Sequence, residues 1–376
     1  MLAQRPPMGW NTWNTFGHNI NEEVIIENTD AFIKLGLKDA GYEYIVIDDC
    51  WSKRQRDPET GKIVPDPEKF PHGMKYVSDY IHSKGLKFGM YSCAGTRTCA
   101  DYPGSFDHEF LDAKTFAEYG ADFLKYDFCY MPETANGPLM YRRMGLALKA
   151  SGREILFSAC NWGSDEVHKW IRSTGAHMYR STGDIHDNFE SMKKIAFSQE
   201  DMLGYSAPGC FNDTDMLTVG MFGKGHVGIE GSTEADYRTQ FGLWCMFSAP
   251  LMLGCDIRTL SPEMLALVTN KNLIRINQDE EARPPIESHV HACGEKRVFF
   301  KHLSNGEYAI GFFNFTERNQ GVQTNLTNFG LSASSGLALE LTDAMTNEYY
   351  GKFSEYINVY TNSHDCRIFL AKLVEA

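Results

Sequence analysis

No stretch of the 376 residues approaches the roughly 18 continuous apolar residues of a membrane span, so no crossing of a bilayer is expected. The ten cysteines, at 50, 93, 99, 129, 160, 210, 245, 255, 293 and 366, contain no Cys-x-x-Cys pair, which argues against a zinc ribbon or a thioredoxin-type site. Lysine and arginine form no basic run, and the net charge of −13 excludes nucleic acid or an anionic membrane as the main partner. The opening Met-Leu-Ala-Gln-Arg-Pro-Pro lacks the apolar segment of a secretory leader. The expected address is therefore cytoplasmic, bacterial-type, or secreted if a leader has been removed. Internal repeats and low-complexity linkers are also missing.

What is present is alternation. Short β-prone runs at 7–13, 44–49, 86–91, 122–128, 155–160, 177–181, 210–216 and 249–253 alternate with amphipathic segments. Those segments are 23–38, 73–84, 108–119, 137–150, 164–174, 186–198, 233–247 and 262–269. Eight such units within about 280 residues have the rhythm of a (β/α)8 TIM barrel. A doubly wound sheet would alternate too, but it carries its Gly-rich phosphate loop in the first βα turn. Here the one G-x-G-x-x-G match, Gly223–Gly228, comes late and opens no helix, so it is read as chance. After Pro284-Pro285 the texture changes to short strand-like runs such as Arg297-Val-Phe-Phe-Lys301 and Tyr308-Ala-Ile-Gly-Phe-Phe313. The expected division is a catalytic barrel over 1–283 and an antiparallel β-sandwich over 284–376.

Polar residues recur where the barrel strands end: Trp13, Asp48-Asp49, Tyr91, Asp127, Asn161, Asp184 and Asp215. In a barrel those ends converge on the catalytic face. Asp127 and Asp184 each lie near a cation, Lys125 and Arg180. Two carboxylates with cations to hold hydroxyls suit sugar-bond hydrolysis, and 24 Phe, 18 Tyr and 6 Trp supply flat faces for sugar rings. Each residue also has a plainer reading. Asp127 alone could end a strand at the surface, Asp184 alone could cap a helix near 186, and Trp13 and Tyr91 could be barrel core. The Asp48-Asp49 pair with a histidine could hold a metal. His289-Val-His291 has alternate ligand spacing but fits an edge strand better, and no metal or cofactor is expected.

Five blocks make a resemblance specific: Met8-Gly-Trp-Asn-Thr-Trp13, Tyr44-Ile-Val-Ile-Asp-Asp-Cys-Trp51, Phe123-Leu-Lys-Tyr-Asp-Phe-Cys129, Tyr179-Arg-Ser-Thr-Gly-Asp-Ile185 and Phe211-Asn-Asp-Thr-Asp-Met-Leu217. With Phe70-Pro-His-Gly73 and Thr98-Cys-Ala100, their order resembles glycoside hydrolase family 27, the α-galactosidase and α-N-acetylgalactosaminidase family. The resemblance implies Asp127 as nucleophile and Asp184 as acid/base in a retaining mechanism. It also implies that Asp48 and Asp49 accept the sugar's 4- and 6-hydroxyls, and that Lys125 and Arg180 hold its 3-/4- and 2-hydroxyls. Trp13, Tyr91, Cys160, Asn161, Trp162, Asp215 and Met216 would line the pocket. The implied substrate is an α-galactoside oligosaccharide or glycoconjugate; monomer and homo-oligomer are both left open.

Two departures bear on these implications. Asn161 stands where typical α-galactosidases carry Glu and the N-acetylgalactosaminidases a small Ser. Its intermediate size leaves the C2 substituent open; a plain hydroxyl, hence galactose, is expected, with α-N-acetylgalactosaminide or β-L-arabinopyranoside as the alternative. His18 stands where secreted relatives carry the partner of Cys50. The loss of that bridge fits a reducing compartment, in which Cys99 and Cys129, the family's other pair, are either bridged or free thiols.

Overall fold

A computed structural model describes residues 2–288 and 294–376. His289 and His291 lie outside the described residues. Eight strands form the first sheet: β1 (Met8–Asn11), β2 (Tyr44–Val46), β3 (Lys87–Cys93), β4 (Phe123–Asp127), β5 (Leu156–Ala159), β6 (Met178–Arg180), β7 (Phe211–Asp213) and β8 (Leu251–Leu253). All neighbours are parallel, in the order β7-β6-β5-β4-β3-β2-β1-β8. A single parallel bridge, Leu217 to Leu253, brings the two ends together and closes the barrel.

The strands are short and almost wholly buried, because a parallel sheet here is covered on both faces. Alternation decides which side chains go inward. Tyr44, Val46, Phe123, Leu156, Met178 and Met252 pack together in the barrel interior, with Met216 from the segment after β7. Their neighbours Ile45, Leu124, Phe157, Tyr179, Leu251 and Leu253 belong to the larger core under the helices. By the same parity Lys125 and Asp127 follow Phe123 inward, and Arg180 follows Met178. The chain thus directs charge into the barrel only where each strand runs out. Gly89 shows how tight the interior is: a Cβ there would meet Val46 Cγ2 at 2.6 Å.

The helices in this part are α1 (Trp13–Phe16), α2 (Glu22–Lys34), α3 (Gly73–Ser83), α4 (Glu109–Tyr119), α5 (Gly137–Ala150), α6 (Phe189–Phe197), α7 (Glu234–Phe247), α8 (Pro262–Val268) and α9 (Lys271–Asn277). Several starts are written in the sequence. Asn21, Asn136, Asn188 and Ser261 each accept a backbone N–H, and Thr233 with Asp236 makes a full capping box. Asn188 caps α6, so Asp184 is not the cap. The helix expected over 164–174 is instead two 3-10 turns, Ser164–Lys169 and Ile171–Thr174. Gly163, Asp165 and Glu166 adopt φ of 86°, 56° and 54°, outside the right-handed helical region, and the Trp170 indole N–H fixes the kink by donating to the Asp165 carbonyl at 2.7 Å. Helix α9 was not anticipated.

The second unit is all β: β9 (Ile286–Ser288), β10 (Lys296–His302), β11 (Tyr308–Asn314), β12 (Gln320–Asn325), β13 (Leu337–Asp343), β14 (Tyr349–Phe353), β15 (Tyr356–Thr361) and β16 (Cys366–Glu375). Six strands form one antiparallel sheet, β14-β13-β16-β11-β10-β9, and β12-β15 form the other. Between them lies an apolar core that includes Val298, Phe300, Phe312, Val322, Ile357, Val359 and Phe369. The larger sheet meets the barrel through α7. Gly242 allows that approach, since a Cβ would meet Ile368 Cδ1 at 2.7 Å, and Arg238 clamps Asp365 with bonds of 3.0 and 2.8 Å.

Candidate active site

The residues at the strand ends surround one small cavity. It is lined by Trp13, Asn14, Asp48, Asp49, Tyr91, Cys99, Lys125, Asp127, Arg180, Asp184, Ile185, Asp215, Met216 and Val227. A larger cleft, of about 920 Å3 and lined in part by Arg5, Asp39, Arg275 and Ser304, brings together none of these strand-end groups.

The deep wall is built on β4. Asp127 is 5% exposed; its Oδ2 accepts the Tyr91 hydroxyl at 3.0 Å and its Oδ1 the Phe128 N–H at 3.0 Å. Burial pushes its carboxyl up to about 6, against the pull of Lys125. Two residues earlier on the same strand, Lys125 Nζ contacts Asp48 Oδ2 at 2.8 Å, and the Asn11 amide donates to the same oxygen at 2.7 Å. Burial works against the lysine charge, but the Asp48 carboxylate raises it above an ordinary lysine. Asp49 is held by backbone: Cys50 N–H on one oxygen at 2.7 Å, Ala100 N–H on the other at 3.0 Å. Burial raises its carboxyl all the same.

The opposite wall centres on Arg180, which is 4% exposed. Its Nη2 donates to Asp184 Oδ1 at 2.9 Å and its Nη1 lies 3.0 Å from Asp215 Oδ1. The Asp184 side chain is 65% exposed, at the solvent side of the pocket. The surrounding protein opposes its charge, but Arg180 outweighs this and holds the carboxyl below the usual range. Asp215 is buried, which raises its carboxyl, and stands at φ 79°, fixed by the Ile185 and Met216 N–H groups at 2.7 Å each and by Trp244 Nε1 on its carbonyl. Asp213, also inside, is pushed up to about 6 by burial despite Arg180. Arg180 thus serves three carboxylates unequally.

Cys160, Asn161 and Trp162 were expected in the sugar pocket, but they do not line the cavity. Cys160 is buried behind Arg180, whose Nη1 lies 3.7 Å from its Sγ. Asn161 is fully buried and its amide donates to the Ser164 carbonyl at 2.9 Å, holding the kinked turn. Trp162 occupies φ 57° in that turn. Conversely, the sequence reading passed over Asn14, Ile185 and Val227 as lining residues. Asn14 directly follows the Met8–Trp13 block, and Ile185 ends the Tyr179–Ile185 block, so adjacency to a motif was the available signal. Val227 lies inside the Gly223–Gly228 match. That run binds no helix start; it folds a loop back so that His226 packs edge-on against Trp13 at 4.8 Å.

Cys99 and Cys129 are joined in a disulfide with their Cα atoms 5.2 Å apart, while Cys50 is free and buried. Cys99 lines the cavity beside Asp127. Among the described residues, the one His/Cys/Asp/Glu group with metal-ligand spacing is Cys99, Asp127 and Cys129, and two of its three ligand atoms are the bridged sulfurs. Asp48 and Asp49 have their oxygens on Lys125, Asn11 and backbone N–H groups instead.

Residues 5–279 match the family described as Alpha galactosidase A, and residues 293–371 match the Alpha galactosidase C-terminal beta sandwich domain. The chain belongs to the α-galactosidase family of glycoside hydrolases. It is 40% identical to the α-galactosidase of Cyamopsis tetragonoloba over 98% of this chain and 86% of that one. With α-galactosidase A of Cellvibrio japonicus it shares 41% over 83% of this chain and 76% of the other. Among solved structures, α-galactosidase I of Mortierella vinacea superposes with a TM-score of 0.89 at 31% identity, covering 98% of this chain and 97% of that one. The Saccharomyces cerevisiae α-galactosidase, solved with raffinose, gives 0.91 at 26% over 99% and 98%. The α-galactosidase fold therefore extends through the sandwich. No helix among the described residues is long and apolar enough to cross a membrane.

Proposed function

We propose that this chain is a retaining exo-α-galactosidase that releases terminal α-linked galactose by double displacement. The observation that carries the reading is the placement of Asp127 and Asp184 on one small cavity, each beside a cation, with the first buried and the second open to solvent. Asp127, directed inward by β4, attacks C1. Asp184, on the solvent side where an aglycone leaves and water enters, protonates the glycosidic oxygen and then activates water. The blind strand-end pocket suits one terminal sugar, whose hydroxyls would meet Asp48, Asp49, Lys125, Arg180 and Asp215.

Their surroundings set the two carboxyls apart. Asp127, at about 6, is mostly ionised at neutral pH, as a nucleophile must be. Asp184 is held low by Arg180, and an acid must be protonated. Substrate resolves this: a sugar covering the mouth removes water from Asp184 and draws Arg180 toward its own hydroxyls, and both changes raise the Asp184 carboxyl. Accordingly kcat/KM should fall about tenfold per pH unit below about 6, as Asp127 takes up its proton.

Azide rescue assigns the two roles. Asp127→Ala should lose about 10⁴-fold or more in turnover, and azide should restore formation of the β-galactosyl azide. Azide with Asp184→Ala should give the α-azide. A near-normal rate for Asp127→Ala, or the opposite pattern of azides, overturns the reading. Parallel assays with p-nitrophenyl α-galactoside, α-N-acetylgalactosaminide and β-L-arabinopyranoside test the sugar. Galactoside should be preferred, and a preference for either rival replaces the substrate while leaving the mechanism.

A further inference from the structure

The outer face of the β12-β15 sheet stands apart from the rest of the surface. Its register pairs Gly321 with Tyr360, Gln323 with Asn358 and Asn325 with Tyr356. Inward, Val322, Ile357 and Val359 enter the sandwich core. Outward point Tyr356 and Tyr360, 58% and 64% exposed, with Asn358, Gln323 and Asn325 around them. Neither strand contains a charged residue, in a chain that is 23% charged. No side-chain hydrogen bond among the described residues uses any of these five side chains, so two phenol hydroxyls and three amides are free to bond outward. The sheet β12-β15 covers the face of the larger sheet that is turned away from α7, and none of these five residues lines the strand-end pocket.

We propose that this face binds a neutral polysaccharide chain. Two tyrosines four residues apart on one strand are separated by roughly 13 Å, the span of a short oligosaccharide. A sheet face carrying two exposed rings offers their apolar faces to the C–H faces of sugar rings, and the intervening amides offer paired donors and acceptors to hydroxyls. Absence of charge suits a ligand that has none. A protein partner would call for a contiguous apolar anchor and a charged rim, whereas here the two rings are separated by Asn358. Gly321 contributes by omission: a Cβ there would lie 2.4 Å from Asn358 Oδ1, so glycine lets that amide lie across the sheet between the rings.

The test is affinity electrophoresis in gels containing galactomannan, hydroxyethylcellulose, polygalacturonate or no polymer, using the full chain with Asp127→Asn so that nothing is trimmed. The galactomannan probe rests on the reading of the pocket; the surface argument does not. Retardation is expected with a neutral polymer and not with polygalacturonate, and it should persist in 0.5 M salt (roughly a 4 Å screening length). Tyr356→Ala/Tyr360→Ala should weaken it about tenfold or more, while Tyr356→Phe/Tyr360→Phe keeps most of it. In the otherwise native enzyme the alanine pair should leave p-nitrophenyl galactoside hydrolysis unchanged. Unaltered mobility in every gel, or equal retardation of the alanine pair, overturns the proposal. So does a shift from oligomer to monomer in that variant by sedimentation, which would make the face a contact between copies. A failure of the galactosidase reading shows up separately, as lost or altered hydrolysis with retardation intact.

Discussion

The barrel and the sandwich bury opposite chemistries. Asp48, Asp127, Arg180 and Asp215 are all at most 5% exposed around one barrel pocket, with Asp213 buried nearby, whereas between the two sandwich sheets lies a cluster of aliphatic and aromatic side chains. Burying unpaired charge costs several kcal/mol per ion, so the barrel keeps its charges only in opposed sets, around Lys125 and around Arg180. The sandwich keeps its charges outside that apolar core, Arg367 on Asp343 within the larger sheet and Arg238 of α7 on Asp365 at the seam with the barrel. The lesson is that the catalytic unit gives up stability at the pocket that its apolar layers restore elsewhere.

The sharpest way to break that comparison is to change a pocket charge and a sandwich core residue in parallel. Asp184→Ala should lower kcat by about 10²–10⁴-fold, with little change in melting temperature, since this side chain is largely exposed. Phe369→Ala should do the reverse, removing about 3–5 kcal/mol from the urea-derived stability while the folded fraction keeps its specific activity.

A smaller effect separates the two regions by pH. Asp127 has its folded value raised to about 6 from 3.8, so between those values the native state binds the extra proton, and stability falls as pH rises through this window. Asp127→Asn lacks that loss and should be about 1–3 kcal/mol more stable than the native sequence at pH 7.5, the gain shrinking toward zero below pH 4. An effect of opposite sign lies at the seam. Lys301 is fully buried, with Nζ on the Ile276 carbonyl at 2.8 Å and the Ser248 hydroxyl, and burial lowers it to about 8. Here the unfolded chain binds more protons between about pH 8 and 10.5, so stability should rise with pH across that range. Lys301→Met should flatten that rise, read from urea midpoints at pH 7.5 and 9.5.

Much of this organisation was legible in the residues. Each expected barrel strand overlaps an observed one, with β3 running two residues past the expected 86–91, because runs such as Tyr44-Ile-Val46 have no other way to bury both faces. The family blocks brought Asp48, Asp127, Arg180 and Asp184 into view. What the residues hid was set by tertiary geometry. The kink at 163–166 defeats a helical pattern that propensity supports, and it brings the Ser164 carbonyl to the Asn161 amide, which does not line the cavity. Val227 reaches the pocket through a loop whose glycines resemble a phosphate motif. The pairing of Cys99 with Cys129 is a matter of two loops meeting, which spacing alone leaves open.

The barrel closure at Leu217 and Leu253 has a further consequence. Two backbone bonds, Leu217 N–H to the Met252 carbonyl at 2.8 Å and Gly254 N–H to the Leu217 carbonyl at 2.9 Å, span a gap that other neighbours cross with ladders. Breathing of the cylinder should start along this line, next to Met216 and Asp215. A galactoside gripped between Asp215 and the far staves would then act as a hoop, delaying deuterium uptake at those two amides.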